Sequence, residues 1–145
     1  VDLFAGCGTF TLPLAEHYEM IALESEKPMI AALDRGWREA KGLKKIEAVA
    51  RDLFRRPFLP DELAKLDFAV LDPPRAGAEA QVAELAKSEV AQIAYVSCNP
   101  VTFARDAKVL INAGYVLDWV QVVDQFRWSS HVELAAKLSR PHMQR

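Results

Sequence analysis

The sequence has few of the residues that build metal centres, disulfide frameworks or membrane spans. Its 145 residues include only two cysteines, Cys7 and Cys98, and three histidines. A zinc site or a disulfide framework needs more ligands at closer spacing, so we expect no metal in this chain. There is no run of eighteen apolar residues and no charged leader. This predicts neither a membrane span nor a signal peptide, and favours a soluble, cytoplasmic protein.

An excess of positive charge is also missing. The chain carries 18 basic and 20 acidic residues, a formal net charge of −2 at pH 7. Free-standing nucleic-acid-binding domains carry an excess of basic residues. We therefore expect most contacts with any RNA substrate to be made outside this chain. The opening residues VDLFAG are typical of the end of a buried strand. We therefore expect a fragment of a longer protein, and we expect it to be monomeric.

Hydrophobic patterning predicts one α/β domain. With 51% hydrophobic and 26% charged residues, the chain is long enough for a proper core. Apolar runs alternate with helical patterns, which is typical of a doubly wound, mostly parallel sheet with helices on both faces. The domain is predicted to span 1–138, with a disordered tail over 139–145. The predicted strands are 1–5, 20–23, 46–50, 68–71, 91–96, 115–123 and 131–138, and the main predicted helices are 10–18, 28–41, 79–88 and 100–113.

Cys98 lies where a predicted strand meets a predicted helix. Asn99 is a good helix cap, and Pro100 suits the first helical position. Cys98 therefore precedes the positive end of a helix dipole, which favours the thiolate that attacks electrophiles. A buried structural cysteine is the plainer alternative. The position at the carboxyl end of a strand favours a nucleophile, because open α/β sheets bind ligands there.

A glycine turn follows the first predicted strand. The turn Gly6-Cys7-Gly8-Thr9 lets the backbone approach a ligand closely. The dinucleotide fingerprint is incomplete, because Thr11 stands where its third glycine would be. Glu24, at the end of the second strand, is placed to accept hydrogen bonds from ribose hydroxyls. Glu24 and Asp52 both follow strands at one sheet edge, which favours a bound ligand over a plain tight turn.

Asp72-Pro73-Pro74-Arg75 follows a wholly apolar strand. The prolines stiffen the exit from the strand and fix the direction of the Asp72 side chain. A plain turn is the alternative, but the position at the carboxyl edge of the sheet favours a functional carboxylate.

Four segments, in this order and spacing, resemble the catalytic domain of RNA 5-methyluridine methyltransferases. They are DLFAGCGTF, LDPPRAGA, YVSCNPVTFARD and VDQFRWSSHVELAAKL. The resemblance covers essentially the whole chain. It implies the seven-stranded class I methyltransferase fold with an antiparallel last strand, S-adenosylmethionine as cofactor, and tRNA or rRNA as substrate. It also implies an upstream RNA-binding region, which in some members holds an iron–sulfur cluster.

The resemblance further implies a role for each matched residue. Cys98 would add to C6 of the target uracil, and Glu133 would then remove the C5 proton. Asp72 would hydrogen-bond the uracil edge close to the cofactor. For Glu133 the alternative is an exposed strand residue, because it alternates with Val132 and Leu134. The other matches are Phe4, Gly6, Gly8 and Thr9 in the cofactor turn, Glu24 at the ribose, Asp52 near adenine, Arg105 and Asp106 bracing the cysteine loop, and His131 beside Glu133.

One segment departs from the family pattern. Residues 125–130 replace the more usual Met-Phe-Pro run before His-Val-Glu, and they shape the base pocket, so the choice of target uridine stays open. Three other functions also stay open. They are a methyltransferase of a small molecule or protein for which Cys98 is incidental, a cofactor- or RNA-binding module without catalysis, and a nicotinamide oxidoreductase. A flipped-out base is implied, and we expect the isolated chain to be inactive or weak.

Overall fold

The computed structural model describes residues 1–125 and 127–141, in which strands and helices alternate along the chain. The strands are β1 (Asp2–Leu3), β2 (Met20–Glu24), β3 (Ile46–Ala50), β4 (Phe68–Leu71), β5 (Gln92–Ser97), β6 (Val116–Val123) and β7 (Glu133–Ser139). The helices are α1 (Thr11–Leu14), α2 (Lys27–Glu39), α3 (Pro60–Leu63), α4 (Glu79–Ala86) and α5 (Pro100–Asn112). Within the described ranges, no helix is long and apolar enough to cross a bilayer.

The strands form one seven-stranded sheet in the order β3-β2-β1-β4-β5-β7-β6. The first five of these are mutually parallel, whereas β7 runs antiparallel to β5 and to β6. Parallel neighbours need crossover connections, which the helices between the strands supply. The predicted doubly wound, mostly parallel sheet with an antiparallel last strand is confirmed.

Alternation along the strands divides the core between the two faces of the sheet. Leu3, Leu71 and Tyr95 point to one face and belong to a large buried cluster that includes residues of α4 and α5. Met20 and Ala22 point to the other face, where a smaller cluster includes residues of α1 and α2. Asp2 pairs with Ala22, and Glu24 lies two residues after Ala22 on the same strand. Both therefore point to this second face as well.

Helix α1 is shorter than the sequence predicts. The apolar pattern continues to Tyr18, but the helix ends at Leu14. The carbonyl of Leu14 still accepts the N–H of Tyr18 at 2.9 Å, but the carbonyl of Ala15 accepts the N–H of Lys44, at 2.7 Å. Residues 15–17 form turns rather than regular helix, so the predicted helix over 10–18 was too long at its C-terminal end.

The predicted disordered tail was wrong at its start. Ser139 is the last residue of β7 and pairs with both neighbouring strands. The guanidinium of Arg140 donates to backbone carbonyls at the end of α4 and just after α5, at 2.9 and 3.1 Å, and lies 4.4 Å from the centre of the Tyr115 ring. These contacts fix a polar segment whose composition alone suggested disorder. Residues 142–145 lie outside the described part of the chain.

Candidate active site

The predicted site residues meet at one edge of the sheet. Glu24 ends β2, Asp52 follows β3, Asp72 follows β4 and Cys98 follows β5, so all four lie at the carboxyl ends of parallel strands. Glu133 is the first residue of β7. Because β7 is antiparallel to β5, its beginning lies at the same edge as their carboxyl ends.

The strand register brings Cys98 next to Glu133. Ser97 of β5 pairs with Leu134 of β7, so the next position along this antiparallel ladder sets Cys98 opposite Glu133. The paired ladder ends at Ser97 and Leu134, and Cys98 and Glu133 are the next residues beyond it. Both side chains are half-buried. A thiol and a carboxylate from distant parts of the sequence therefore share one half-buried position.

Asp72 lies beside this pair. Val70 pairs with Ala94, so continuing the parallel ladder sets Asp72 next to Val96, on the face that also carries Cys98. Part of the residue is open to solvent, but burial of the carboxyl group, together with the nearby charges of Asp2 and Glu133, raises the pKa of Asp72 to about 6. Such a carboxyl group can accept hydrogen bonds when ionised and donate one when protonated.

Asp72→Asn is expected to stabilise the fold at pH 8 but not below pH 4. A carboxyl group with a raised pKa contributes stability that is complete below its unfolded pKa and is lost as the pH rises through its folded pKa. The loss therefore falls between about pH 4 and 6. A two-unit shift corresponds to about 2.7 kcal/mol, which solvent screening of this exposed residue reduces to about 1 kcal/mol.

Urea unfolding of both proteins at pH 4 and pH 8 measures the effect of Asp72→Asn. The free energy of unfolding of the variant should exceed that of the wild type only at pH 8. An equal difference at the two pH values would contradict the charge argument.

The first turn of α5 holds the loop that carries Asp72, which we call the aspartate loop (residues 72–77). The side chains of Asn99 and Thr102 both donate to the backbone carbonyl of Arg75, at 3.0 and 3.1 Å. Asn99 also caps α5, accepting the N–H of Val101 at 3.1 Å, as predicted from the sequence. The residue that follows Cys98 therefore fixes the cysteine and the aspartate loop to each other.

A buried carboxylate anchors the far end of the aspartate loop. Asp106, only 1% exposed, accepts the hydroxyl of Tyr95 at 2.6 Å and the N–H of Ala78 at 2.7 Å, and it pairs with Arg105 at 2.8 Å. Arg105 also donates to the carbonyl of Ala76 at 3.0 Å. The resemblance implied that Arg105 and Asp106 brace the cysteine loop. Their direct contacts instead brace the aspartate loop.

Gly77→Ala is expected to cost about 3 kcal/mol of unfolding free energy. Gly77 has φ +78°, and a Cβ there would lie 2.6 Å from Arg105 Nη2 and 2.8 Å from Asp106 Oδ2. Left-handed backbone alone costs a non-glycine residue about 1 kcal/mol. The remainder comes from displacing Arg105, which is 40% exposed, from its ion pair with the buried carboxylate of Asp106.

Gly42→Ala is the matched control for this loss. Gly42 has nearly the same φ, +82°, but a Cβ there would meet nothing within 4 Å. Its replacement should cost only about 1 kcal/mol in the same urea titration. Equal losses for the two variants would show that the packing around Gly77 contributes nothing.

Glu24 and the glycine turn form the other half of the crevice. Glu24 Oε2 accepts the N–H of Gly6 at 3.0 Å, while Oε1 accepts the N–H groups of Ser25 and Glu26 at 2.7 and 3.0 Å. Each carboxylate oxygen has two lone pairs, so Oε2 can take one further donor. The position suits a hydroxyl group of a bound ligand.

The backbone of this half is held in an uncommon conformation. Phe4 and Gly6 have φ values of +68° and +55°, and a Cβ added to Gly6 would meet nothing within 4 Å. The ring of Phe4 packs against that of Phe54 with centroids 5.6 Å apart. Asp52 Oδ1 accepts the N–H of Phe54 at 2.9 Å. Left-handed backbone at a non-glycine residue beside an open cradle is typical of a ligand site.

Gly8 and Thr9 are the last residues of the turn, and none of their contacts tests their predicted role in cofactor binding. A Cβ on Gly8 would lie 3.1 Å from the side chains of Leu12 and Leu33, so packing of α1 against α2 already accounts for glycine there. Thr9 is exposed. Their part in cofactor binding stays a prediction.

Asp2 is the site residue that the sequence analysis missed. It is fully buried, and its Oδ2 accepts the hydroxyl of Thr11 at 2.6 Å. In the described part of the chain its Oδ1 has no hydrogen-bond partner, and burial raises the pKa of its carboxyl group. It lies on the same face as Glu24 and Asp72. An aspartate inside an apolar strand was the available signal, because buried carboxylates are rare without a partner.

His131 joins the aspartate loop to the segment before β7. The guanidinium of Arg75 donates to its Nδ1 at 2.8 Å, so the ring accepts through that nitrogen. This contact lies two residues before Glu133, in keeping with the expected neighbourhood. Phe126, in the segment expected to shape the base pocket, lies outside the described residues. Over 1–125 and 127–141 no three side chains are grouped so as to hold a metal ion.

Comparison with solved structures first defines the class of fold. The magnesium protoporphyrin IX methyltransferase of Synechocystis, solved with S-adenosylmethionine bound, superposes with a TM-score of 0.70 over 97% of this chain and 68% of that one. At 15% identity this likeness shows the fold alone. The sheet is therefore that of the α/β methyltransferases.

The family follows from closer matches. The model of the tRNA (uracil-5-)-methyltransferase family matches residues 1–141, so this chain belongs to that family. The tRNA (uracil-54, C5)-methyltransferase of Pyrococcus abyssi, solved with S-adenosylhomocysteine, is 34% identical with a TM-score of 0.80 over 94% of this chain and 33% of that one.

Two bacterial relatives, both named uncharacterized RNA methyltransferases, are more similar in sequence. That of Mesorhizobium japonicum is 53% identical over 99% of this chain, and that of Caulobacter vibrioides is 55% identical over 96%. The chain covers 35% and 34% of their respective lengths. It thus spans about a third of the curated relatives that it matches.

Proposed function

We propose that the protein containing this chain methylates C5 of a uridine in tRNA or rRNA, through a covalent bond between Cys98 and C6 of the base. The observation that carries the proposal is the strand register that sets Cys98 opposite Glu133, with Asp72 beside them. Membership of the tRNA (uracil-5-)-methyltransferase family supports the same chemistry.

S-adenosylmethionine is the proposed cofactor, and the described residues fit it. Glu24 Oε2 has capacity for a ribose hydroxyl beside the open cradle at Gly6. The unpartnered Oδ1 of Asp2 offers a buried acceptor for the amino group of the methionine part. When bound, the cofactor supplies an electrophilic methyl group on a sulfonium centre. The Phe4–Phe54 pair and Asp52 are proposed to contact the adenine.

In the proposed reaction Cys98 supplies the electron density that uracil C5 lacks. Its thiolate forms a bond to C6, and the electron pair of the C5–C6 double bond moves toward C5 and O4. The enolate-like C5 would then take the methyl group, and the bond between that methyl carbon and the cofactor sulfur would break with its electron pair left on sulfur. Glu133 removes the proton from C5, the C5–C6 double bond re-forms, and the thiolate leaves. Each bond made to the enzyme is therefore broken again.

Asp72 is proposed to orient the base. The strand register sets its carboxyl group beside Cys98, and its raised pKa of about 6 lets it accept from N3–H or donate to O4 near neutral pH. A thiol must reach C6 and a methyl donor must reach C5, and a base stacked in a helix exposes neither carbon properly. The target uridine must therefore leave its stack.

Cofactor binding is expected to raise the melting temperature of the whole protein. S-adenosylhomocysteine at about 100 times its Kd adds about 2.7 kcal/mol, a rise of several degrees, whereas NAD should cause none. Glu24→Gln should weaken S-adenosylhomocysteine about tenfold, because it removes the charge and one acceptor oxygen facing the ribose. Glu26→Gln, next along the exposed turn, is the matched control and should bind normally. A rise with NAD instead would overturn the cofactor assignment.

The reaction itself is tested by nucleoside analysis. The whole protein is incubated with methyl-labelled S-adenosylmethionine and RNA from cells in which its gene has been deleted. The RNA is then digested to nucleosides. We expect label in 5-methyluridine. Label in another nucleoside, in protein or in a small molecule would contradict the proposal.

A further inference from the structure

Trp128 presents its whole side chain to solvent beside the candidate site. Its relative exposure is 103%, against 50% for Trp119, and its φ is +64°. An indole is among the largest apolar side chains, and a residue other than glycine rarely adopts left-handed backbone. Left-handed backbone at a residue other than glycine is costly and occurs mainly at ligand sites, so a fully exposed indole held in it points to a partner for the ring.

The segment that carries Trp128 is fastened to the catalytic edge. Ser129 Oγ accepts the N–H of His131 at 3.1 Å, and His131 is bonded to Arg75 of the aspartate loop at 2.8 Å. Trp128 precedes His131 by three residues and Glu133 by five, so the chain can extend at most about 11 Å and 18 Å between them. The exposed indole therefore lies within about 18 Å of Glu133, close enough to reach RNA bound at the crevice that holds Cys98.

Two cations accompany the ring. Arg127 directly precedes Trp128 in the sequence, and Arg75 is hydrogen-bonded to His131. Within residues 1–125 and 127–141 neither guanidinium is paired with a carboxylate. Aromatic rings that stack on bases, combined with arginines that contact phosphates, are the means by which proteins bind single-stranded or splayed RNA. Protein interfaces use the same residue types, but the position beside the reacting base favours RNA.

We propose that Trp128 stacks on a nucleobase next to the target uridine and that Arg127 contacts the adjoining phosphate. This rests on the proposed function, because extrusion of the uridine is what leaves a neighbouring base without its stacking partner. The indole offers a face to any base, so Trp128 contributes to RNA binding. It takes no part in bond formation.

The test uses the whole protein and RNA from cells in which its gene has been deleted. The KM for RNA, kcat, and the Kd for S-adenosylhomocysteine are measured for the wild type, Trp128→Ala, Trp128→Phe and Trp119→Ala. We expect Trp128→Ala to raise the KM for RNA about tenfold, the loss of one stacked base, with kcat and the S-adenosylhomocysteine Kd unchanged. Trp128→Phe should restore the KM to within about threefold of the wild-type value. Trp119 pairs with Lys137, four residues along β7 from Glu133, so Trp119→Ala should match the wild type.

If Trp128→Ala leaves the KM for RNA unchanged while the wild type forms 5-methyluridine, the stacking role is wrong and the proposed function stands. A wild type that forms none would overturn the proposed function and this inference together. If Trp128→Ala instead lowers the melting temperature of the RNA-free protein and Trp128→Phe does not restore the KM, the indole packs within the protein and the inference is wrong.

Discussion

Cys98→Ala is expected to lower the rate of methyl transfer on the order of 10⁴-fold or more, because alanine cannot add to C6 and uracil C5 alone is too weak a nucleophile. Cys98 stands directly before the cap of α5 and opposite Glu133 in the strand register. The other cysteine of the sequence, Cys7, lies in the glycine turn after β1, in the proposed cofactor half of the crevice. The rate is measured as 5-methyluridine formed under single-turnover conditions.

Two controls separate chemistry from folding in this experiment. The Cys98→Ala protein should bind S-adenosylhomocysteine with the affinity of the wild type, because Glu24 and Gly6 belong to the other half of the crevice. Cys7→Ala changes the other, exposed cysteine and should keep the rate within about threefold. A Cys98→Ala protein that still methylates RNA at a near-normal rate would make this cysteine incidental and favour a different chemistry.

Glu133→Gln is expected to slow turnover by about 10²- to 10⁴-fold, the usual contribution of a general base. The effect should have a distinctive form. Glutamine cannot accept the C5 proton, so addition and methyl transfer proceed but elimination of Cys98 does not. RNA carrying the new methyl group should therefore accumulate in covalent linkage to the protein, visible as a slower band in denaturing gels.

The matched control for this variant is Glu89→Gln. Glu89 is an exposed carboxylate in the connection that precedes β5, at the opposite edge of the sheet from Glu133. It should turn over normally and trap nothing. Normal turnover by Glu133→Gln would identify Glu133 as an ordinary strand residue, and slow turnover without a covalent product would assign it to a step before the adduct.

The arrangement of the sheet could be predicted because local signals agreed along the chain. Asn99 and Pro100 give a cap and a helix start, and the structure has α5 beginning at Pro100 with Asn99 as its cap. Apolar strands each ending in a polar residue predicted that Glu24, Asp72 and Cys98 share an edge, because carboxyl ends of parallel strands always do. The hydrophobic periodicity and the polar residues at strand ends were thus enough to predict most of the fold.

Contacts between distant segments could not be predicted in the same way. The carbonyl of Ala15 accepts the N–H of Lys44, and the guanidinium of Arg140 donates to two remote carbonyls. The pairing of Asp106 with Arg105 and Tyr95 braces the aspartate loop, although the motif alone pointed to the cysteine loop. Such partners depend on packing that no local spacing encodes.

Asp2 shows a different limit. Its position in an apolar strand was visible, but its importance rests on an oxygen without a partner, which only the three-dimensional arrangement reveals. The role of Glu133 also depends on the three-dimensional arrangement. Its alternation with apolar neighbours fits any half-buried strand, and the register with Cys98 distinguishes it.

The most direct test of the covalent role of Cys98 uses RNA that contains 5-fluorouridine. Fluorine at C5 cannot leave as a proton does, so elimination is blocked after methyl transfer. The whole protein is incubated with this RNA and S-adenosylmethionine, and peptide mass spectrometry locates the modification. We predict a methylated 5-fluorouridine attached to Cys98 in the wild type and none in Cys98→Ala. No adduct from a protein that methylates ordinary RNA, or an adduct on another residue, would contradict this account.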